Sequence, residues 1–200
     1  MSENSETNEM LEKCRAWAKG DKTMTAYHDN RWCRPCHDDN ELFAWLCLEG
    51  QQAGLSWSVI MKHEKDIREA FGGFDIGRVA AYDDVKKAKV MSHKGVIKNK
   101  SKIESAVKNA RVILKMKASG EWKSFDEYIW HFTDGRQVIH HLSDPSEMPA
   151  ENELSREVAK DMKKRGFTFV GPVIIYSYLQ AIGVIDDHLD GCPCKAKEKE

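Results

Sequence analysis

The sequence predicts an all-α fold. Apolar residues recur at spacings of three and four, helix start and stop signals bracket those stretches, and no two segments alternate as paired strands would. Leu42, Phe43, Leu46 and Cys47 predict a helix over about 39–50. Trp57, Ile60, Met61, Ile67 and Phe71 predict the next, with Ser56 placed to cap it. Ile103, Ala106, Val107, Ala110, Ile113 and Leu114 form the stripe of an amphipathic helix over about 101–117. Ser124 and Glu127 have the spacing of a capping box ahead of Phe125, Tyr128 and Ile129. Leu154, Val158 and Met162 predict a helix ending at Lys163-Lys164-Arg165, where cations suit the negative end of the helix dipole, and Gly166 stops it. Pro172 suits the first position of a helix running to about Ile182. Val173 to Tyr176 also have strand propensity, which leaves a strand as the alternative there.

A chain of 200 residues, 41% hydrophobic and 32% charged, builds one compact domain or two small lobes sharing a core, and disorder as the main state is excluded. The longest apolar run, Phe169 to Ile185, is interrupted by Gly171, Pro172, Ser177 and Gln180, so no membrane span is expected. Residues 1–10 carry three acids and no base, which reads as a solvated tail and not a signal peptide. The expected layout is a disordered acidic tail over 1–11, one domain over 12–194, and a disordered charged tail over 195–200. A cytoplasmic monomer is the matching expectation.

The net charge of −1 conceals two basic clusters, one running through residues 86–102 and one at Lys163-Lys164-Arg165. Either could meet phosphates, and either could simply decorate a solvated helix face. The six cysteines, in a chain without export signals, favour thiols or metal ligands over a disulfide framework. Thirteen residues separate Cys14 from His28, and His188 and Cys192 stand four apart near the other end. One Cys and one His from each end would complete a tetrahedral zinc site, although eight histidines and six cysteines allow other pairings. Cys33-Arg-Pro-Cys36-His37 matches the haem-attachment pattern but lacks the exported context that chemistry needs.

Between the two C-terminal helices lies Gly166-Phe-Thr-Phe-Val-Gly171. A glycine-bounded turn of this kind can point successive backbone N–H groups outward and hold a DNA phosphate without reading sequence, or it can be an ordinary sharp bend. Together with Ala26-Tyr27-His28-Asp29-Asn30, Leu48 to Trp57, and Asp187-His188-Leu189-Asp190-Gly191-Cys192, this segment resembles DNA-3-methyladenine glycosylase I of the helix-hairpin-helix superfamily over about residues 12–194.

The resemblance implies a helix-hairpin-helix glycosylase fold in which zinc, bound by Cys14, His28, His188 and Cys192, joins the two chain ends. It implies a pocket for the damaged base at Trp17, Tyr27, Glu49 and Trp57, with Glu49 in the catalytic role, and a duplex-probing tip at Gly54 and Leu55. Lys164, Arg165, Gly166 and Gly171 would contact the DNA backbone. The residue types suit the task. A base methylated at N3 is cationic while still bonded to the sugar, so its glycosidic bond is already weakened and recognition matters more than a strong acid. Aromatic faces attract a cation, a carboxylate accepts hydrogen bonds from the base edge, and a small apolar wedge can fill the gap the base leaves. Three positions depart from the family pattern: Arg31 stands in place of a glutamate, Cys33 of a glycine and Met24 of a second pocket tyrosine.

The implied activity is monofunctional hydrolysis of the N-glycosidic bond of 3-methyladenine in double-stranded DNA, leaving an abasic site. No lysine is assigned as a nucleophile, so no strand cleavage is expected. The alternatives are a damaged-DNA-binding member of the fold without turnover, and a zinc-dependent structural or thiol protein.

Overall fold

The computed structural model describes residues 3–197, and helix dominates it. In chain order the helices are α1 (Glu3–Cys14), α2 (Lys22–Asn30), α3 (Asp39–Gln52), α4 (Trp57–Ala70), α5 (Ile76–Ala80), α6 (Asp84–Ser92), α7 (Lys100–Ala118), α8 (Phe125–Trp130), α9 (Glu153–Arg165) and α10 (Pro172–Ala181). Two short strands, β1 (Val138–Ile139) and β2 (Ile185–Asp186), pair in parallel.

α3 is the hub. Every residue from Leu42 to Gln51 is buried, because α4, α7, α8 and α10 cover it on different sides. A single contiguous core runs from Ala18 to Ile185, so the domain is built around one interior.

The helix signals hold with local differences. α10 forms with Pro172 in its first turn and not as a strand, since Ile175, Tyr176, Tyr178 and Leu179 are all buried on the core side. Gly166 ends α9 in the left-handed region at φ 102°, as a stop glycine does. Ser56 sits at the start of α4, but its hydroxyl pairs with Ser58 and not with a helix amide. Ser124 accepts from the Glu127 amide at 2.9 Å, yet the Glu127 carboxylate reaches the Lys123 amide one residue early, so the box is only half closed. The reciprocal box is at Asn152 and Ser155, ahead of α9.

The acidic start is corrected by the structure: residues from Glu3 onward are helical, not a disordered tail. Met10 and Leu11 pack against a second apolar cluster of Leu142, Leu189, Cys192 and Cys194, while the Lys13 ammonium pairs with Asp144 at 3.1 Å. The opposite end is also tied. Lys195 donates to the carbonyls of His140 and His188, and residues 198–200 lie outside the described residues.

The parallel β1–β2 pair was not visible in the sequence, because two residues per strand carry no alternation. It leads the chain out of α10 through Gly183, whose φ of 72° and crowded surroundings admit no side chain. A Cβ there would stand 2.2 Å from the Arg34 carbonyl carbon and 2.3 Å from the Pro35 nitrogen. That close approach lets the Cys33 and Cys36 amides donate to the Gln180 and Ile182 carbonyls and brings the C-terminal segment onto α2.

Candidate active site and metal-ligand cluster

Trp17, Tyr27, Trp32, Glu49, Gln52 and Trp57 line a cavity of about 310 Å³, with Pro145, Met148, Ser177 and Gln180 completing its lining. Tyr27 comes from α2, Glu49 and Gln52 from α3, Trp57 from α4, and Ser177 and Gln180 from α10. All four base-pocket residues expected from the sequence therefore meet in one place. Trp32, Gln52, Pro145, Met148, Ser177 and Gln180 were missed; of these only Trp32 and Gln52 carried a signal, Trp32 lying five residues from Tyr27 and four from His28, and Gln52 lying within the Leu48 to Trp57 segment.

The walls are aromatic. Ring centroids of Tyr27 and Trp57 lie 5.7 Å apart, Trp17 and Tyr27 6.4 Å, and Trp17 and Trp32 5.6 Å, the last two edge to face. Behind them Trp45 packs 5.6 Å from Tyr27. Arg31, the departure from the family pattern, lays its guanidinium 4.7 Å from the Trp45 ring and forks onto Glu64 at 2.7 and 2.6 Å. Its charge is thus met by Glu64, which Arg68 also contacts. Met24 is buried and lines an adjoining cavity with Trp17 and Trp57.

Glu49, 4% exposed, is the one carboxyl lining the cavity among the described residues. Burial pushes its pKa up to about 8, because no cationic side chain compensates for lost water. An empty pocket therefore holds a neutral carboxylic acid at neutral pH, whereas a cationic guest would draw it to the carboxylate.

Leu55, 38% exposed, stands on the turn that follows α3, after Gly54 at φ 81°. Its amide donates to the Gln52 carbonyl, and the Gln52 side chain donates back to the Leu55 carbonyl at 2.7 Å, so the tip is fixed to a pocket residue.

At the turn between α9 and α10, the amides of Phe169, Val170 and Gly171 have no acceptor in the protein among the described residues. Phe169 holds φ 56° and Gly171 leads into Pro172. Lys164 is exposed beside it. Arg165 differs from expectation: it forks onto Glu121 at 2.9 and 2.8 Å, contacts Asp161, and lies 5.1 Å from the Tyr128 ring. Its charge is committed within the protein.

The chain ends meet at a buried cluster. The ligand atoms of Cys14, His28 and Cys192 lie within 4.8 Å of one another, as do those of His28, His188 and Cys194, and those of Cys33, Asp186 and His188. His28 Nε2 is 3.2 Å from Cys14 Sγ and its Nδ1 is 2.9 Å from Asp29 Oδ1. His188 Nδ1 is 2.7 Å from Asp186 Oδ1, while its Nε2 is buried with no partner. A hydrogen bond from Cys192 and the Leu189 amide hold the Cys14 thiol below its usual range, and Cys192 is pushed up to about 12 by the same pairing. Two sulfurs and two imidazoles, each imidazole steadied by a carboxylate, make a donor set suited to zinc. Cys194 stands as close to His28 and His188, and Cys33 to Asp186 and His188, whereas Cys36 belongs to none of these groupings.

Both imidazoles also touch the pocket walls. His28 packs 5.8 Å from Trp17, and His188 packs 4.7 Å from Trp32. Asp187 faces away from the cluster, accepting from Tyr176 and Gln180 and lying 2.6 Å from His140 Nδ1.

Known proteins resemble this chain over most of its length. The methyladenine glycosylase family pattern matches residues 17–195. The chain is 38% identical over 186 residues to a DNA-3-methyladenine glycosylase of Haemophilus influenzae, covering 93% of this chain and 99% of that one. It is 39% identical over 184 residues to DNA-3-methyladenine glycosylase 1 of Escherichia coli, covering 92% and 97%. The solved 3-methyladenine DNA glycosylase I of Staphylococcus aureus superimposes with a TM-score of 0.90 at 31% identity, covering 95% of this chain and all of that one. A variant of such an enzyme, solved in complex with 3-methyladenine, gives 0.89 at 31%, covering 94% and 100%. With the family pattern spanning nearly the whole domain and full-length relatives close to 40% identical, this chain belongs to the methyladenine glycosylase family.

Proposed function

We infer that this protein excises 3-methyladenine from alkylated double-stranded DNA as the first step of base excision repair. The observation that carries the reading is a buried, otherwise uncompensated carboxyl, Glu49, in a cavity walled by Trp17, Tyr27, Trp32 and Trp57. Such a pocket disfavours its own charge when empty and is completed by a flat cation. The full-length relatives carry the name of this activity.

The flipped base enters among the rings, and Glu49 accepts hydrogen bonds from its edge as it ionises. Water adds to the sugar carbon as the glycosidic bond breaks, the bonding pair leaves with the base so that it departs neutral, and the proton lost by the added water passes to solvent. Among the described residues no lysine lines the cavity, which favours a monofunctional hydrolase that leaves an abasic site and does not cut the strand. Leu55 fills the space of the extruded base, with Gly54 giving the turn its left-handed step. The unpaired amides of Phe169 to Gly171, after Gly166 and beside Lys164, receive a phosphate in the manner of a helix-hairpin-helix.

Cys14, His28, His188 and Cys192 would hold one structural zinc, and the orphaned His188 Nε2 is the observation that favours it. The ion would tie α1 to the C-terminal turn. The protein works as a monomer on this reading.

Incubation with methylated duplex DNA tests the activity: free 3-methyladenine should appear with alkali-labile abasic sites and no direct nicking. Binding to the duplex without base release would favour the non-hydrolysing alternative, and neither binding nor release would leave a zinc-dependent structural protein.

A further inference from the structure

α7 carries three buried polar residues on one face, Lys102, Ser105 and Asn109, at spacings of three and four. They are 6%, 8% and 3% exposed, positions where an apolar side chain would cost less to bury. Lys102 reaches one part of the surface, and Ser105 and Asn109 together reach another. The Lys102 ammonium donates to the Gln51 and Ala53 carbonyls at 2.7 and 2.8 Å, capping the end of α3 where the Gly54-Leu55 tip begins. Asn109 grips the α9–α10 turn from both sides, its amide donating to the Thr168 carbonyl at 3.0 Å and its carbonyl accepting from the Thr168 amide at 2.9 Å. Ser105 lies between them, donating to the Thr168 carbonyl at 3.2 Å and accepting from the Thr168 hydroxyl at 3.1 Å.

One rigid helix therefore holds two loops that are far apart in sequence, 51–55 and 166–171. None of the three residues lines the base cavity. α3 and the second loop also meet directly, since a Cβ at Gly50 would lie 3.5 Å from the Phe169 Cβ. The ammonium is the informative member. Burying a charge to hold two carbonyls is costly, and an uncharged C-terminal cap would do for helix stability alone.

We propose that Lys102, Ser105 and Asn109 are positioning residues that set the separation between the apolar tip at Leu55 and the phosphate-binding turn at Thr168, so that base extrusion depends on them while base recognition does not. The inference rests on the reading of Leu55 as wedge and of the turn as phosphate site. A shift of the tip by about 1 Å relative to the phosphate grip would misplace the wedge in the base stack, and displacements of that size can cost ~100-fold in rate.

The test compares Lys102→Met, Asn109→Ala and Leu55→Ala with the unaltered protein. Three quantities are read: affinity for free 3-methyladenine, single-turnover excision, and extrusion reported by 2-aminopurine beside the lesion. Lys102→Met and Asn109→Ala should each lower extrusion and excision ~10- to 100-fold while free-base affinity stays within about twofold. Lys102→Gln, which can still donate to one carbonyl, should fall between Met and the parent, and it replaces Met should that variant not fold. Folded Lys102 variants with parental extrusion overturn the inference, as does a loss of base affinity in step with extrusion, which is the mark of general destabilisation. If Leu55→Ala impairs extrusion and the α7 variants do not, only the inference fails; if Leu55→Ala changes nothing, the wedge reading fails and takes the inference with it.

Discussion

Asp186 holds the His188 imidazole through Nδ1 at 2.7 Å and leaves Nε2 buried without a partner. A buried ring nitrogen in that state costs stability unless something accepts its lone pair, and on the proposed reading Cys14, His28 and Cys192 would supply the rest of a zinc shell. Protein purified without added metal should contain one zinc per chain. Cys192→Ser should lower the melting temperature markedly and the metal content with it. Because His28 and His188 pack on Trp17 and Trp32, tryptophan emission should shift on chelation. A parental melting temperature in the metal-free protein would contradict this account.

Lys164 and Arg165 look equivalent in the sequence, and the structure separates them. Arg165 is occupied by Glu121 and Asp161, whereas Lys164 is exposed beside the α9–α10 turn. Lys164→Ala should weaken damaged and undamaged duplexes alike and reduce the slope of log affinity against log salt by ~0.9, the value of one phosphate contact. Arg165→Ala should leave that slope nearly unchanged and lower the melting temperature. Titrations at several salt concentrations distinguish the two outcomes.

Gly183 should tolerate no side chain, since the Arg34–Pro35 backbone passes where a Cβ would stand. Gly183→Ala should cost about 3 kcal/mol, the upper end for overpacking that forces backbone to move. Denaturant unfolding measures it, and a loss below about 1 kcal/mol would mean the Cys33–Cys36 loop can retreat.

Glu49 predicts opposite pH trends for stability and activity. Its folded pKa, raised to about 8 by burial, exceeds the unfolded value, so folding favours the protonated form. The stability this contributes is complete below the unfolded pKa, near 4.5, and is lost as pH rises to about 8. Excision under kcat/KM conditions should rise over the upper part of that window as the carboxylate becomes available to a cationic base. Comparison with Glu49→Gln isolates this carboxyl, whose loss should flatten both profiles.

What the sequence made legible follows from how local each signal was. The stripe from Ile103 to Ile113 predicted α7 because the face meeting the core repeats along the helix itself, although Leu114, read as part of it, is exposed. Cys14, His28, His188 and Cys192 stood out because their residue types are scarce and paired near each end. Met148, Ser177 and Gln180 reach the pocket only through tertiary folding, and nothing in their own segments marks them. The ion pairs of Arg165 and the buried role of Lys102 were hidden for the same reason: a cation in a basic run looks solvated until its distant partners are seen. Cys33 is a different case. It stands in the left-handed region at φ 59°, a conformation that the glycine of the family pattern would adopt without strain. The acidic N-terminal segment was misread because its apolar pair, Met10 and Leu11, is too short to show a period.

The most direct test of Glu49 as the group that reads the base edge is the affinity of Glu49→Gln for 3-methyladenine, measured with its excision rate and its binding to duplex DNA containing an abasic analogue. Glutamine keeps the size of the side chain and removes its charge and one acceptor. Free-base affinity and excision should both fall by ~10- to 150-fold, equivalent to ~1.5–3 kcal/mol for a charge-assisted hydrogen bond, while abasic-DNA binding stays near the parental value. A folded Glu49→Gln protein with parental base affinity and excision would contradict the account and move recognition to the aromatic walls of Trp17, Tyr27 and Trp57.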